Sequence, residues 1–262
     1  MIPDFAKRVV KSSLDTFGYS LHDLRKNNDL RVFLPGHLRD ILTKLQINCV
    51  IDVGANVGQY GLMLRRIGYQ GRIVSIEPTR ESFETLSETA EDDPDWMTLN
   101  TACGNQDGTM SINIFAESHI NSLLHPSPNI AALASRPIQR TDTVTVKRLE
   151  SIMGDALIGI DEPHVFLKTD TQGFDLDVLR GVGELINQVR GLQSEISVIP
   201  LYVGAPDYLE FLSYCRELGF EPTSFFPVFN SPDSGHLVEC DVVLIRRHWS
   251  KIESALVESS RN

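Results

Sequence analysis

Nowhere in these 262 residues do apolar side chains run for the roughly 18 positions that a bilayer-spanning helix needs, so the sequence predicts no transmembrane segment. Cysteine is scarce and scattered: Cys49, Cys103, Cys215 and Cys240 form no C-x-x-C pair, which argues against a zinc site and a disulfide framework. Cys49, Cys103 and Cys240 sit in or beside apolar runs, where cysteine behaves as a small buried hydrophobe. The first stretch, MIPDFAKRVVKSSLDTFGYSL, has basic residues but no uninterrupted apolar region before a small-residue cleavage site. It reads instead as an amphipathic helix with Phe5, Val9 and Val10 on one side. These absences predict a cytoplasmic protein. Basic charge is in deficit too. A net charge of -11 argues against a nucleic-acid partner and, more weakly, against an anionic membrane surface. Internal repeats and low-complexity linkers are also absent, which leaves small-molecule substrates as the open class.

What is present is an ordinary globular composition, 42% hydrophobic and 23% charged, enough to bury a sizeable core. From Cys49 onward short apolar runs alternate with segments of helical period. CVIDVG, RIVSIEP, WMTLNTACG, HVFLKTD and RGLQSEISVI read as strands. GQYGLMLRRIG, TRESFETLSETAED (with Thr79 as N-cap), FDLDVLRGVGELINQV and APDYLEFLSYCRELGF read as helices. This alternation predicts an α/β fold, a parallel sheet with helices on both faces. TSFFPVF and LVECDVVLIRR follow with no helix between them, so they predict a hairpin and an antiparallel edge strand. Residues 105–150 break the rhythm and read as two inserted short strands around a polar, proline-broken loop over the strand ends. The expected organisation is a helical extension over 1–48, a catalytic domain over 49–250 and a tail over 251–262. The unexplained apolar faces of the extension suggest a homodimer.

The first strand runs into a turn, CVIDVGANVGQYG, whose glycines at 54, 58 and 61 lack the tight G-x-G-x-x-G of a dinucleotide fold. Gly54 allows a sharp turn; Gly58 and Gly61 allow close approach of a ligand and of the following helix. Asn56 would crowd a pyrophosphate, and Asp52, just before the first glycine, would repel one and favour a cation. Glu77 ends the next strand 23 residues after Gly54, where an acid accepts hydrogen bonds from ribose hydroxyls. Ribose without phosphate, and a positive charge near Asp52, fit S-adenosylmethionine.

Five blocks, VIDVGANVGQYG, IVSIEP, FLKTDTQGFDLDVLRG, LQSEIS and CDVVLIR, resemble the FkbM family of S-adenosylmethionine-dependent methyltransferases over about residues 49–247. The most specific is KTDTQGFDLDVLRG, which resembles the family's K-x-D-x-[EQ]-G-x-[ED]-x-x-V-L-x-G block. The resemblance implies a Rossmann-like class I methyltransferase fold with a seven-stranded sheet. It also implies O-methylation of hydroxyls of sugars, glycolipids or related natural products.

The expected cofactor-binding residues are Asp52, Gly54, Asn56, Gly58, Glu77, Asn105 and Asp170. Asn105, with Asp107, follows the third strand, where methyltransferases of this fold read the adenine amino group; the acid more often seen there is replaced by Asn105. The expected catalytic residues are Asp170, Glu195 and Lys168. Alternation along the strand points Lys168, Asp170 and Gln172 one way. A sugar hydroxyl needs a proton acceptor as it attacks. Asp170 is the first choice for that base, or for orienting the hydroxyl; binding the cofactor's amino end is the alternative. Glu195 is the second carboxylate, and a divalent ion between the two is a less favoured reading. Lys168 is expected to pair with Asp170 or Glu195. His119 and His125 in the inserted loop are secondary base candidates, and Asn121 and Ser122 are candidate donors to sugar hydroxyls. Glu239, Asp241 and His236, near the last strands, read more safely as edge and turn residues. The charge favours a neutral acceptor over an anionic one. Two other readings stay open: an NAD-dependent oxidoreductase, and a non-catalytic S-adenosylmethionine-binding protein.

Overall fold

A computed structural model describes residues 30–128, 130, 133, 135–231 and 233–247. The stretch holding Phe5, Val9 and Val10, the dimer contact suggested for it, and the tail over 251–262 lie outside the described residues. Helix α1 (Leu34–Lys44) leads into strand β1 (Cys49–Val53), helix α2 (Gln59–Arg66), β2 (Arg72–Ile76), α3 (Arg80–Ala90), β3 (Trp96–Leu99) and the short β4 (Ala102–Cys103). The inserted β5 (Gly108–Ile114) and β6 (Arg140–Lys147) follow, then α4 (Leu149–Ala156), β7 (Val165–Thr169), α5 (Asp175–Arg180), β8 (Val189–Ser197) and α6 (Tyr208–Glu217). Strands β9 (Phe220–Asn230) and β10 (Leu237–Arg246) close the chain's described part. Among the described residues no helix is long and apolar enough to cross a membrane.

Seven strands form one sheet in the order β3-β2-β1-β7-β8-β10-β9. The neighbours from β3 to β8 pair parallel, whereas β10 runs antiparallel to both β8 and β9. The hairpin expected at the edge is therefore folded so that its second strand inserts between β8 and β9. Strand order reverses between β1 and β7, and that switch point opens a crevice beyond the strand ends. This is a Rossmann-like arrangement. The stretch read as one third strand is two: β3 joins the large sheet, while β4 leaves it for a three-stranded sheet with β5 and β6. The insertion thus builds a second small sheet beside the strand ends.

The period of two along β1 divides the core. Cys49, Ile51 and Val53 face α4, α5 and α6 through Leu149, Met153, Leu176, Leu179 and Phe211. Val50 faces the other way, with Phe166 of β7, towards α1, α2 and α3 through Leu38, Leu42, Leu64 and Leu86. Helix α6 begins where Asp207 Oδ1 accepts the Leu209 and Glu210 amides at 2.9 Å, an N-cap. Thr79 precedes α3 but does not cap it with its side chain; its hydroxyl turns back to donate to Glu77 Oε1.

Candidate functional site

The crevice at the switch point is an open cleft of about 640 Å³ counted out to its mouth, solvent space included. Its floor is the turn after β1, its near wall the ends of β2 and β7, and its far wall β4 and the inserted loop. Gly54 makes the turn possible. Its φ of +79° is open to glycine without strain, and a Cβ there would lie 1.9 Å from the Asp170 carbonyl oxygen. The β1 turn and the β7 end are thereby brought together.

Gly54, Asn56, Glu77 and Asp170 all line the cleft. Glu77, 7% exposed, is held from three directions. Its Oε2 accepts the Asn56 amide at 3.0 Å, and its Oε1 accepts the Thr79 amide at 3.0 Å and the Thr79 hydroxyl at 2.5 Å. Burial pushes this carboxyl above its ordinary range, and those donors pull it back. A carboxylate accepts about four hydrogen bonds, so Glu77 is oriented but not saturated. Asn56 sits at φ +49°, a left-handed conformation that asparagine tolerates, and its Oδ1 accepts the Ser118 hydroxyl at 3.1 Å. That contact ties the glycine turn to the inserted loop.

Three residues expected at the cofactor do not line the cleft. Asp52 lies on the Val50 face, fully buried, and is the direct strand neighbour of Lys168. Lys168 Nζ meets Asp52 Oδ1 at 2.9 Å, donates to the Gly54 carbonyl at 3.3 Å and lies 5.3 Å above the Tyr60 ring. Asp170 is more distant, at 3.7 Å. Burial works against charge on both partners of the pair. For Lys168 the Asp52 and Asp170 carboxylates more than offset it and hold the ammonium above its ordinary range. Of the two expected partners of Lys168, Asp170 is present as the longer contact and Glu195 is not; the main partner is corrected to Asp52, and Asp52 from a ligand contact to half of an ion pair. Gly58, with φ +90°, packs against the side chains of Leu86, Thr89 and Trp96. Asn105 donates to Asp177 Oδ1 at 2.6 Å, and Asp107 accepts the Arg148 amide at 2.6 Å at the start of α4. The chain has entered the second sheet by Ala102–Cys103 and stays with it at Gly104, whose amide donates to the Lys147 carbonyl, so that both side chains are carried away. Thr101, Ala102 and Cys103 line the cleft in their place.

Beyond β7 and β8 the acids gather. Asp170, whose side chain is 39% exposed, faces the cleft. Glu195 and Asp241 are direct neighbours across β8 and β10, and Ser197 donates to Glu239 one step further on. Burial first, then the neighbouring carboxylates, push Glu195 well above its ordinary range. Burial raises Asp241 to about 6 although Gln193 donates to it. It raises Glu239 to about 7 and Asp175 to about 6. Glu239 and Asp241, read from sequence as edge residues, belong to this group. Among the described residues no set of three His, Cys, Asp or Glu side chains is placed to hold a metal ion.

The sign of the Glu239 effect is fixed by the direction of its shift. A carboxyl whose folded pKa is raised carries no penalty below the ordinary carboxylate range and the full penalty above about 7. Glu239→Gln is therefore expected to stabilise the protein at pH 8 by about 1–3 kcal/mol and to leave it unchanged at pH 4. Thermal melts of both proteins across that range check this.

The inserted loop supplies the rest of the wall. His119, Asn121 and Ser122 line the cleft, whereas His125 does not; its carbonyl accepts the Val203 amide. His236 Nδ1 lies 2.8 Å from the Ser234 hydroxyl in the exposed hairpin turn. Ser122 is not a free donor: its hydroxyl proton goes to the Gln172 carbonyl at 2.8 Å. Asn121 Oδ1 accepts the Phe115 amide at 2.9 Å, so its amide nitrogen stays available to the cleft. Two residues without an expected role are central. Gln172 Nε2 donates to both Asp170 Oδ1 (3.1 Å) and Glu195 Oε2 (3.0 Å), and Tyr202 donates to Gln172 Oε1 at 2.9 Å. Gln172 stood inside the specific block; nothing local marked Tyr202.

Residues 52–222 match the family described as the methyltransferase FkbM domain. A hexuronic acid methyltransferase, AglP, of Haloferax volcanii is 24% identical over 200 residues, covering 74% of this chain and 72% of that protein. Methyltransferase 1 of Beauveria bassiana is 26% identical over 151 residues, covering 52% of this chain and 58% of its own length. Among solved structures, an Aeropyrum pernix fibrillarin bound to S-adenosyl-L-methionine has a TM-score of 0.43 at 9% identity, covering 76% of this chain and 66% of that one. With the sheet order, the switch-point cleft and the match across most of its length in agreement, the chain belongs to the FkbM methyltransferase family.

Proposed function

We propose that this chain transfers the methyl group of S-adenosylmethionine to a hydroxyl of a sugar, glycolipid or related natural product. The observation that carries the reading is one cleft, at the switch point, with the Glu77 carboxylate on one side and the Asp170 carboxylate on the other. The residues present fit the cofactor. Glu77 is fixed by three donors yet retains acceptor capacity for ribose hydroxyls, and Thr101 to Cys103 offer backbone and small side chains for a planar base. When bound, the cofactor supplies a methyl group on a sulfonium, an electrophile that needs no further activation.

The chain's own residues do the remainder. Asp170 accepts the acceptor's hydroxyl proton as the oxygen attacks, general-base help typically worth about 10²–10⁴-fold. Lys168, locked to Asp52, stands 3.7 Å behind it and keeps positive charge near the site without entering it. The inserted loop is tied to the glycine turn through the Ser118 to Asn56 contact. The named activity of the Haloferax volcanii relative supports a sugar acceptor. That relative's named acceptor is an acidic sugar, whereas Glu195, Glu239 and Asp241 crowd acids beside Asp170, so for this chain a neutral hydroxyl compound is favoured.

Calorimetric titration with S-adenosylhomocysteine, followed by acceptor screening for S-adenosylhomocysteine release, tests this. Micromolar binding and release with a neutral sugar are expected. Absence of binding, with nicotinamide cofactor binding instead, sinks the proposal. Binding with no release across sugar, glycolipid and small-phenol acceptors favours a non-catalytic role.

A further inference from the structure

We infer that Gln172 is a positioning residue: its side-chain amide clamps Asp170 and Glu195 into one unit and fixes which Asp170 oxygen meets the acceptor. The inference rests on the reading of Asp170 as the group that takes the acceptor's proton.

The geometry uses the amide completely. Both Nε2 protons are committed, one to Asp170 Oδ1 and one to Glu195 Oε2, and Oε1 accepts from Tyr202. The reversed amide would set its carbonyl against two carboxylates and its NH2 against a hydroxyl donor, so one orientation alone satisfies all three partners. With Oδ1 engaged, Oδ2 is the Asp170 oxygen that the amide leaves open, and the Lys168 ammonium lies 3.7 Å from it.

The backbone shows that this side chain has a task. Gln172 sits at φ +53°, where glycine would be free of strain and a residue with a Cβ is not. A glutamine held there, with its carbonyl bonded by Ser122, keeps a reach that glycine lacks. The electrostatics agree. Asp175 of α5, Glu239 and Asp241 of β10 and Tyr202 of the loop after β8 all bear on Glu195 or Asp170, and Lys168 is matched to Asp52. A neutral double donor joins two acids without adding charge. A carboxyl at 172 would add a sixth acid to Asp170, Asp175, Glu195, Glu239 and Asp241.

Tyr202 extends the clamp. Its hydroxyl lies 2.9 Å from Gln172 Oε1 and 3.1 Å from the Ile120 carbonyl, sharing its single proton between them. Ile120 belongs to the inserted segment whose Ser118 holds Asn56 of the glycine turn. The Gln172 amide is thus aligned from the loop that walls the cleft.

The test follows the Glu195 carboxyl by carbon NMR across pH in the full-length protein, its Gln172→Met variant, which keeps length but loses the amide, and Tyr202→Phe. S-adenosylhomocysteine affinity is measured on each. Removing a donor from a carboxylate disfavours its charged form. Gln172→Met should therefore move the Glu195 midpoint further up, and Tyr202→Phe should move it the same way by less; because Gln172 itself lines the cleft, retained S-adenosylhomocysteine binding serves only to show that the cleft is intact in each variant. With an acceptor in hand, kcat of Gln172→Met should fall at least about tenfold with a shifted pH profile and an unchanged KM for S-adenosylmethionine. A folded Gln172→Met in which Glu195 titrates as in the parent overturns the clamp. Should Gln172→Met not fold, an unmoved Glu195 in Tyr202→Phe overturns it instead. Failure of the parent to bind S-adenosylhomocysteine would sink the cofactor reading alone, because the titration is made on the free protein.

Discussion

Glu77→Ala is expected to weaken S-adenosylhomocysteine binding by at least about 100-fold, since each hydrogen bond from a ligand hydroxyl to a buried carboxylate contributes about 1.5–3 kcal/mol. The side chain is 7% exposed, lines the cleft and is held by Asn56 and Thr79, so it needs no reorganisation when ribose arrives. The substitution also frees the Asn56 amide and loosens the turn it anchors, which adds to the loss in the same direction. Calorimetry gives the affinity, and the ligand-induced rise in melting temperature gives an independent reading. For the parent, ligand at 100 times its Kd should add about 2.7 kcal/mol of stability; for the variant the melt should not move. A Glu77→Ala protein with native circular dichroism and near-parental affinity would show that the ribose is held elsewhere.

Lys168→Met is expected to cost about 3–5 kcal/mol, because it leaves the Asp52 carboxylate buried with no counter-charge. Asp52 is fully buried and meets Lys168 at 2.9 Å. Its burial already pushes its carboxyl up, and without the ammonium it must take a proton on folding. Two consequences distinguish this from a catalytic lysine. The loss should grow as pH rises from 5 to 8, since the unfolded chain ionises Asp52 while the folded variant cannot. The double variant Asp52→Asn with Lys168→Met should recover most of the stability, since replacing both members of a buried pair is often close to neutral. Denaturant unfolding of the three proteins at both pH values decides it. A single variant as stable as the parent would mean that Asp52 reaches solvent.

Gly54, Glu77 and Asp170 could be placed from spacing because each terminates a strand of the parallel sheet, and strand ends converge wherever the order reverses. Asp52 and Lys168 could not be paired from spacing. They are 116 residues apart in number and meet because β1 and β7 are neighbours in register, with Asp52 opposite Lys168. Asn105 was misplaced for a related reason: β4 pairs with β6, and the second sheet draws the chain away from the cleft. Ser122 was read as a donor to substrate, but a hydroxyl has one proton and the Gln172 carbonyl holds it.

The strand and helix order from β1 to α3 and from β7 to β10, the turn at Gly54 and the acid at the end of β2 were determined by the sequence alone, since each follows from local periodicity or from one residue's conformational freedom; the split of β3 from β4 and helix α4 were not. The partners of the buried charges were decided by tertiary structure. Register across β1 and β7 joined Asp52 to Lys168, register across β8 and β10 set Glu195 beside Asp241, and the insertion carried Ser118 to the glycine turn. Side-chain partnership across a sheet depends on which strands adjoin and at what offset, and no local pattern along the chain encodes either.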